Sequence, residues 1–276
     1  NLVGGMQSRS FSYGRDTLGM KVAVGTEIPL AKPTWLQPSG SPPSTQEYYE
    51  AMFSRIDATY PIDYYWFWTP EGWEWSKVKL DAPLVTDAVN DLKAAAAAKQ
   101  AVNASFELAT AGWVLGPMGQ RNFLDTVLPP EFTALSSIEE ELGWFPPDPS
   151  YLEVKRKKWT IPWMEDDGAL GEPEFWVSRT IQHAFDARTM NINGLLGIHW
   201  RTREVSLQFS ALALAPWVIT PLGHGTLTAY DVYHDLALSD FGMNETTAME
   251  FAVLLSKYDS FKNAHHAHLH GRVCAE

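Results

Sequence analysis

The segment Ile62–Trp75, IDYYWFWTPEGWEW, constrains the fold more than any other stretch of the chain. Its unbroken aromatic run, Tyr64-Tyr65-Trp66-Phe67-Trp68, stops abruptly at Thr69-Pro70-Glu71-Gly72. A short aromatic run ended by Pro and Gly predicts a strand buried on both faces. Such strands belong to parallel sheets, where ligands sit at the carboxyl ends of the strands. Glu71 stands at that end, with Trp68, Trp73 and Trp75 close in sequence.

The remainder of the chain repeats this strand-then-polar-tip unit. Lys21–Glu27 reads as a strand ending in a carboxylate, and the Pro- and Ser-rich stretch Ile28–Thr45 as a long loop at its end. Thr45 is expected to cap a helix running to about Tyr60. A helix over Pro83–Gln100, centred on the alanine run Ala94–Ala98, is followed by a strand over Val102–Thr110 and another over Phe132–Ile138. Tyr151–Lys158 reads as a short basic helix, Trp159–Met164 as a fifth strand, Glu172–Asn191 as a helix and Gly194–His199 as a sixth strand. Helices over Ser206–Val218, Thr226–Phe241 and Glu245–Tyr258 close the pattern.

Strands alternating with helices at roughly 25–40 residues per unit match the βαβ size. The expected fold class is therefore α/β, a (β/α)8 TIM-type barrel followed by C-terminal helices. Six strands are visible where a barrel closes with eight. The absent pair would precede residue 1, so the chain, which opens Asn1-Leu2-Val3-Gly4-Gly5, reads as processed or as a piece of a longer one. The competing fold is an open doubly wound sheet, disfavoured because no Gly-rich phosphate turn follows a strand. The domain reading is a barrel over 1–220, a helical extension over 221–262 and a His-rich tail over 263–276.

Composition narrows the function classes. The formal charge of −12, from 21 basic and 33 acidic residues, argues against a nucleic-acid partner. No apolar run of about 18 residues occurs, so no membrane span is expected. The single Cys274 excludes an internal disulfide framework. Sequons at Asn103 and Asn244 permit glycosylation, which fits a secreted or extracellular glycoprotein. Twelve Trp suit stacking on carbohydrate, and a Trp-rich core accounts for many of them as well. There is no Gly-x-Ser-x-Gly elbow, HExxH or paired CxxC. The cluster His265-His266-Ala267-His268-Leu269-His270 could bind a transition metal, but terminal His tracts are more often flexible. No metal or cofactor is expected.

The carboxylates carry the remaining chemistry. A carboxyl group among indoles suits a sugar-cleaving general acid, since an apolar surround makes it harder to ionise. Glu71 fits that role; its plainer reading is a surface loop carboxylate. Glu165 stands beside Asp166 and Asp167, and Arg201 on the adjacent strand, within His199-Trp200-Arg201, would keep a nucleophile ionised. The plainer reading of Glu165-Asp166-Asp167 is a cluster at a helix start. Glu27 is a candidate acceptor for a sugar hydroxyl.

If the sixth visible strand is the eighth of a barrel, Glu71 ends strand four and Glu165 ends strand seven. This arrangement resembles the retaining clan of (β/α)8 glycoside hydrolases, whose acid/base and nucleophile sit at those two places. Thr69-Pro70-Glu71 departs from the Asn-Glu pair usual there. The segment YDVYHDLALSDFGMNETTAMEFAVLLSKY, Tyr230–Tyr258, resembles the helical region that follows the barrel in α-glucuronidase-type enzymes. The resemblance implies glycosidase activity on an oligo- or polysaccharide, with Glu71 and Glu165 catalytic. Trp68, Trp73, Asp166, His199, Trp200 and Arg201 join Glu27 as candidate substrate-binding residues. The alternative is a catalytically inactive barrel that binds glycans or builds an extracellular assembly, with another chain or segment completing the ring. A third reading is an α/β enzyme acting on small acids through Arg201 and Arg203.

Overall fold

The computed structural model describes residues 2–32, 42–70, 79–111, 116–117, 119–137, 148–162, 164, 175–198, 206–218 and 227–264. The fold is α/β. Six strands form a parallel sheet in the order β1-β2-β3-β4-β5-β6: β1 Ala23–Glu27, β2 Tyr64–Trp68, β3 Glu107–Ala111, β4 Phe132–Ser137, β5 Lys157–Thr160 and β6 Gly194–Leu195. The order never reverses, whereas a doubly wound sheet reverses at its switch point. The described helices are α1 Leu2–Ser12, α2 Thr45–Thr59, α3 Pro83–Val102, α4 Phe123–Val127, α5 Pro149–Leu152, α6 Val177–Thr189, α7 Ser206–Val218, α8 Ala229–Ser239 and α9 Glu245–Ala264. Among the described residues, no helix is long and apolar enough to cross a membrane.

The chain divides into two compact units, Asn1–Ser137 with Asp148–Lys158, and Ile138–Pro147 with Trp159–Glu276. In the first, the β2 run alternates between two faces, as strand geometry requires. Tyr65 and Phe67 point to α2, where the Tyr65 ring meets Phe53 at 4.9 Å and the Phe67 ring meets Tyr49 at 5.7 Å. Phe106 completes this cluster at 5.3 Å from Phe53, and all five rings are buried. Full burial of each aromatic ring contributes about 2–3 kcal/mol. α2 begins at a reciprocal cap. The Ser44 hydroxyl accepts from the Glu47 N–H at 3.2 Å, and the Glu47 carboxylate accepts from the Ser44 N–H at 2.6 Å. The cap is thus Ser44 and not Thr45.

α3 starts at Pro83, as expected, and runs on to Val102, where Asn103 adopts a left-handed conformation with φ 52°. That cap ends the helix where the sequence pattern places a strand start, so β3 begins only at Glu107. The basic segment Tyr151–Lys158 is likewise not one helix. α5 stops at Leu152, and Lys157 already opens β5. Lys158 is buried in that strand, and its ammonium donates to the Val154 carbonyl at 2.6 Å.

In the second unit, backbone hydrogen bonds continue the β5–β6 pairing beyond the regular strands. Leu196 N–H donates to Thr160 at 3.0 Å and Met164 N–H to Ile198 at 3.1 Å, so the pairing runs through most of the expected Trp159–Met164 and Gly194–His199 strands, of which His199 lies outside the described residues. Gly194 lies opposite Trp159, and a Cβ there would meet the indole Cδ1 at 3.0 Å. Helices α6 to α9 enclose a core of Val177, Leu207, Ala211, Val232, Tyr233, Leu236 and Ala252. α8 is shorter than expected, because Thr228 and Asp231 cap it in a reciprocal box. α6 begins at Val177, after the non-helical Phe175 and Trp176.

Candidate functional site

The carboxyl ends of β1 and β2 bring Glu27 and Trp68 side by side, as partners in the parallel register. In-register residues of neighbouring parallel strands share a face, so Glu27 and Trp68 both lie opposite the Tyr65–Phe67 side that meets α2. Glu27 is exposed, while Trp68 is 7% exposed. The carboxylate is therefore the accessible group and the indole the wall beside it. Trp66, one alternation back and half-buried, sets its ring 5.4 Å from that of Trp68 at 42°. Gly25 in the register beside Trp66 leaves the space that this ring occupies.

The backbone at this edge is held firmly. The Ile28 N–H donates to the Trp68 carbonyl at 3.0 Å, extending the ladder one residue past Glu27, and Ile28 is buried. Farther along, Lys32 donates to the Pro43 carbonyl at 3.5 Å and sits 5.4 Å from the centre of the Tyr48 ring. Both stems of the loop between β1 and α2 are thus tied together. Thr69, the residue after β2, is buried. On β4 the Ser136 hydroxyl donates to the Thr110 carbonyl, and the Tyr151 hydroxyl donates to the Leu135 carbonyl at 3.2 Å.

The amino half of the same sheet face carries a second polar group set. Tyr64 and Glu107 are register partners, the Thr133 hydroxyl donates to the Glu107 carboxylate, and the Lys157 ammonium donates to the Tyr64 hydroxyl at 3.5 Å. Side chains of β2 and β5 therefore touch, although two strands lie between them in the sheet order. Three interstrand spacings in a flat sheet amount to about 14 Å. The sequence reading had not linked these residues, which are 93 apart in the chain.

Of the residues picked out from sequence, Glu27 and Trp68 are adjacent. Asn103 is exposed at the left-handed end of α3. Asn244 is exposed too, and its side-chain oxygen accepts from the Thr247 N–H at 3.1 Å, at the start of α9. Glu71, Trp73, Glu165, Asp166, His199, Trp200 and Arg201 lie outside the described residues, as does the expected His-rich tail from His265 onward, its first two residues ending α9. Among the described residues, no group of three or more His, Cys, Asp or Glu is placed to hold a metal ion.

One residue that the sequence reading missed is Asp91. It lies on the buried stripe of α3, among Val85, Ala88, Leu92 and Ala95. An acid on an otherwise apolar stripe was the signal available to find it.

No protein-family model matches the sequence, and no curated protein matches it at a significant level.

Proposed function

We propose that the chain is a glycoside hydrolase, or the barrel portion of one, acting on an oligo- or polysaccharide at the carboxyl ends of its strands. The observation that carries this reading is the pairing of Glu27 with Trp68. An accessible carboxylate beside an indole, at the end of parallel strands, suits a pyranose, whose hydroxyls need acceptors and whose C–H faces need an apolar wall. The barrel part of the reading draws on the contact between Lys157 and Tyr64, since that reach favours a sheet curled towards this face. An unreversed strand order is also what a (β/α) barrel requires.

In this reading Glu71 donates the proton to the leaving oxygen and Glu165 attacks the anomeric carbon or activates water. Their separation would decide the outcome, about 5–5.5 Å for retention and about 6.5–9.5 Å for inversion. Secretion and glycosylation at Asn103 and Asn244 belong to the same proposal.

The test is turnover of a panel of 4-nitrophenyl glycosides, including a glucuronide, by the unsubstituted protein and by Glu71→Gln and Glu165→Gln. The proposal expects cleavage of at least one glycoside, with each substitution lowering kcat by 10³-fold or more, on the order of 4 kcal/mol. Cleavage that survives both substitutions overturns the assignment of the two carboxylates. Retention on immobilised polysaccharide without any cleavage would favour a glycan-binding barrel instead.

A further inference from the structure

Asp91 occupies a costly position. It is 7% exposed, in the interior of a helix and on its apolar stripe. A carboxylate there is tolerated only if its lone pairs are filled. Two donors from different elements pair its two oxygens, one each. The Tyr49 hydroxyl of α2 donates to Oδ1, and the Leu30 backbone N–H donates to Oδ2 at 2.9 Å. Among the described residues no cation forms an ion pair with it. Leu or Ala would fill the stripe at lower cost, so what the carboxylate adds is placement of the groups that it binds.

The group it places is the chain leaving β1. Glu27 is followed by Ile28, held by the Trp68 carbonyl at 3.0 Å, and two residues later by Leu30, held by Asp91 at 2.9 Å. The segment is thereby fastened to β2 on one side and to α3 on the other, within three residues of the exposed carboxylate. Tyr49, fully buried, locks the second oxygen, so the Asp91 side chain cannot swing away without leaving a phenol unpaired.

We infer that Asp91 is a positioning residue for the substrate site. By holding the Leu30 peptide from α3, it fixes where Glu27 presents its carboxylate to a sugar hydroxyl. This rests on the glycan reading of the Glu27–Trp68 edge. It adds a residue that touches no substrate and acts through the backbone.

The experiment uses the full chain in five forms: unsubstituted, Asp91→Leu, Asp91→Asn, Glu27→Gln and the double Asp91→Leu/Glu27→Gln. Two quantities are followed. The first is amide hydrogen exchange at Leu30. The second is KM and kcat on the 4-nitrophenyl glycoside that turns over fastest, or, without turnover, Kd for xylohexaose and cellohexaose. Circular dichroism and Tm identify any form that fails to fold, and Tyr49→Phe then stands in for the Asp91 variant.

The proposal expects Leu30 exchange to accelerate at least tenfold in Asp91→Leu. It expects KM or Kd to rise about tenfold, with kcat within about twofold of the unsubstituted value. Asp91→Asn, which still offers an oxygen to Leu30, recovers most of the loss. Because Asp91 works through Glu27, the double variant is no weaker than Glu27→Gln alone. Unchanged Leu30 exchange, or effects that multiply in the double variant, overturn the inference. Glu27→Gln behaving like the unsubstituted protein overturns it too. A chain that cleaves none of the panel and binds neither hexasaccharide overturns the glycan reading first, and the role for Asp91 with it.

Discussion

Gly25 and Trp66 compete for one space on neighbouring strands. A Cβ on Gly25 would lie 2.1 Å from the Trp66 carbonyl oxygen and 2.5 Å from its Cε3, well inside contact distance. Because the nearest atom is main chain, it is the position on β1 that has to lack a side chain. Gly25→Ala therefore forces backbone as well as ring to shift. The expected cost is about 2–3 kcal/mol, the upper range for overpacking. Urea denaturation measures it, and near-UV circular dichroism should register the displaced indole. An unchanged midpoint would mean that β1 yields more easily than this contact implies.

Acid sensitivity follows from two carboxylates. Burial alone would push the Asp63 carboxyl up, but hydrogen bonds from Lys21 at 2.8 Å and the Val22 N–H at 3.0 Å, with the Lys21 charge, hold it below the usual carboxylate range. Burial likewise opposes Asp148, and the Gly119 and Ser150 N–H groups, the Ser150 hydroxyl and the Arg121 charge outweigh it. A pKa lowered on folding contributes stability that is complete above the unfolded value, about 3.9, and is lost as pH falls from there through the folded value. The part of the stability that these two carboxylates supply should thus hold steady from neutral pH to about 4 and drop below it. His183, whose pKa is pushed down by burial, adds a loss that begins as pH falls below about 6.5. The double variant Asp63→Asn/Asp148→Asn should start lower at neutral pH and show a flatter acid limb.

Asp259 is fully buried in the second unit and accepts from the Ser178 N–H at 2.9 Å, the Ser178 hydroxyl at 2.7 Å and the Tyr233 hydroxyl at 3.0 Å. It ties α9 to the first turn of α6 and to α8. Asp259→Ala would leave a buried phenol and a helix-start N–H without this acceptor. The expected loss is about 3 kcal/mol. Tyr233→Phe, which removes only one donor, should lose less, and thermal denaturation of the two variants compares them directly.

The start of α2 offers a smaller, cleaner effect. Ser44→Ala removes the acceptor for the Glu47 N–H while leaving the helix core intact. About 1 kcal/mol of stability should go with it, and Ser44→Asp should restore most of that. Equal loss in both variants would mean that the hydroxyl matters for something other than the cap.

The strands most legible in the sequence were those with aromatic or β-branched runs. β2 coincides with the run Tyr64–Trp68, and β4, Phe132–Ser137, begins with the expected Phe132–Ile138 strand, because burial on both faces leaves nothing else for such residues to do. The start of β5 hid behind Lys157 and Lys158, which strands rarely use and which periodicity alone reads as a helix surface. The start of β3 hid behind Asn103, whose left-handed backbone ends α3 but gives no local sign that a strand waits until Glu107. Ser44 could have been found, since Ser-x-x-Glu is the reciprocal cap written out. At the site, Glu27 beside Trp68 was legible as two strand ends, but its support was not. Asp91 is 61 residues from Leu30 and 42 from Tyr49, a conjunction that only tertiary packing creates.

The notch and ring seen at Gly25 and Trp66 recurs in the other unit, where Gly194 faces Trp159. Gly194 and Trp159 amount to a single heritable choice. Descendants of this chain that enlarge residue 194 should have trimmed the Trp159 indole in the same step, whereas residue 25, which faces the Trp66 carbonyl oxygen as well as the ring, should stay glycine. Lineages that kept Trp159 should seldom enlarge residue 194, since a Cβ there would sit 3.0 Å from the ring.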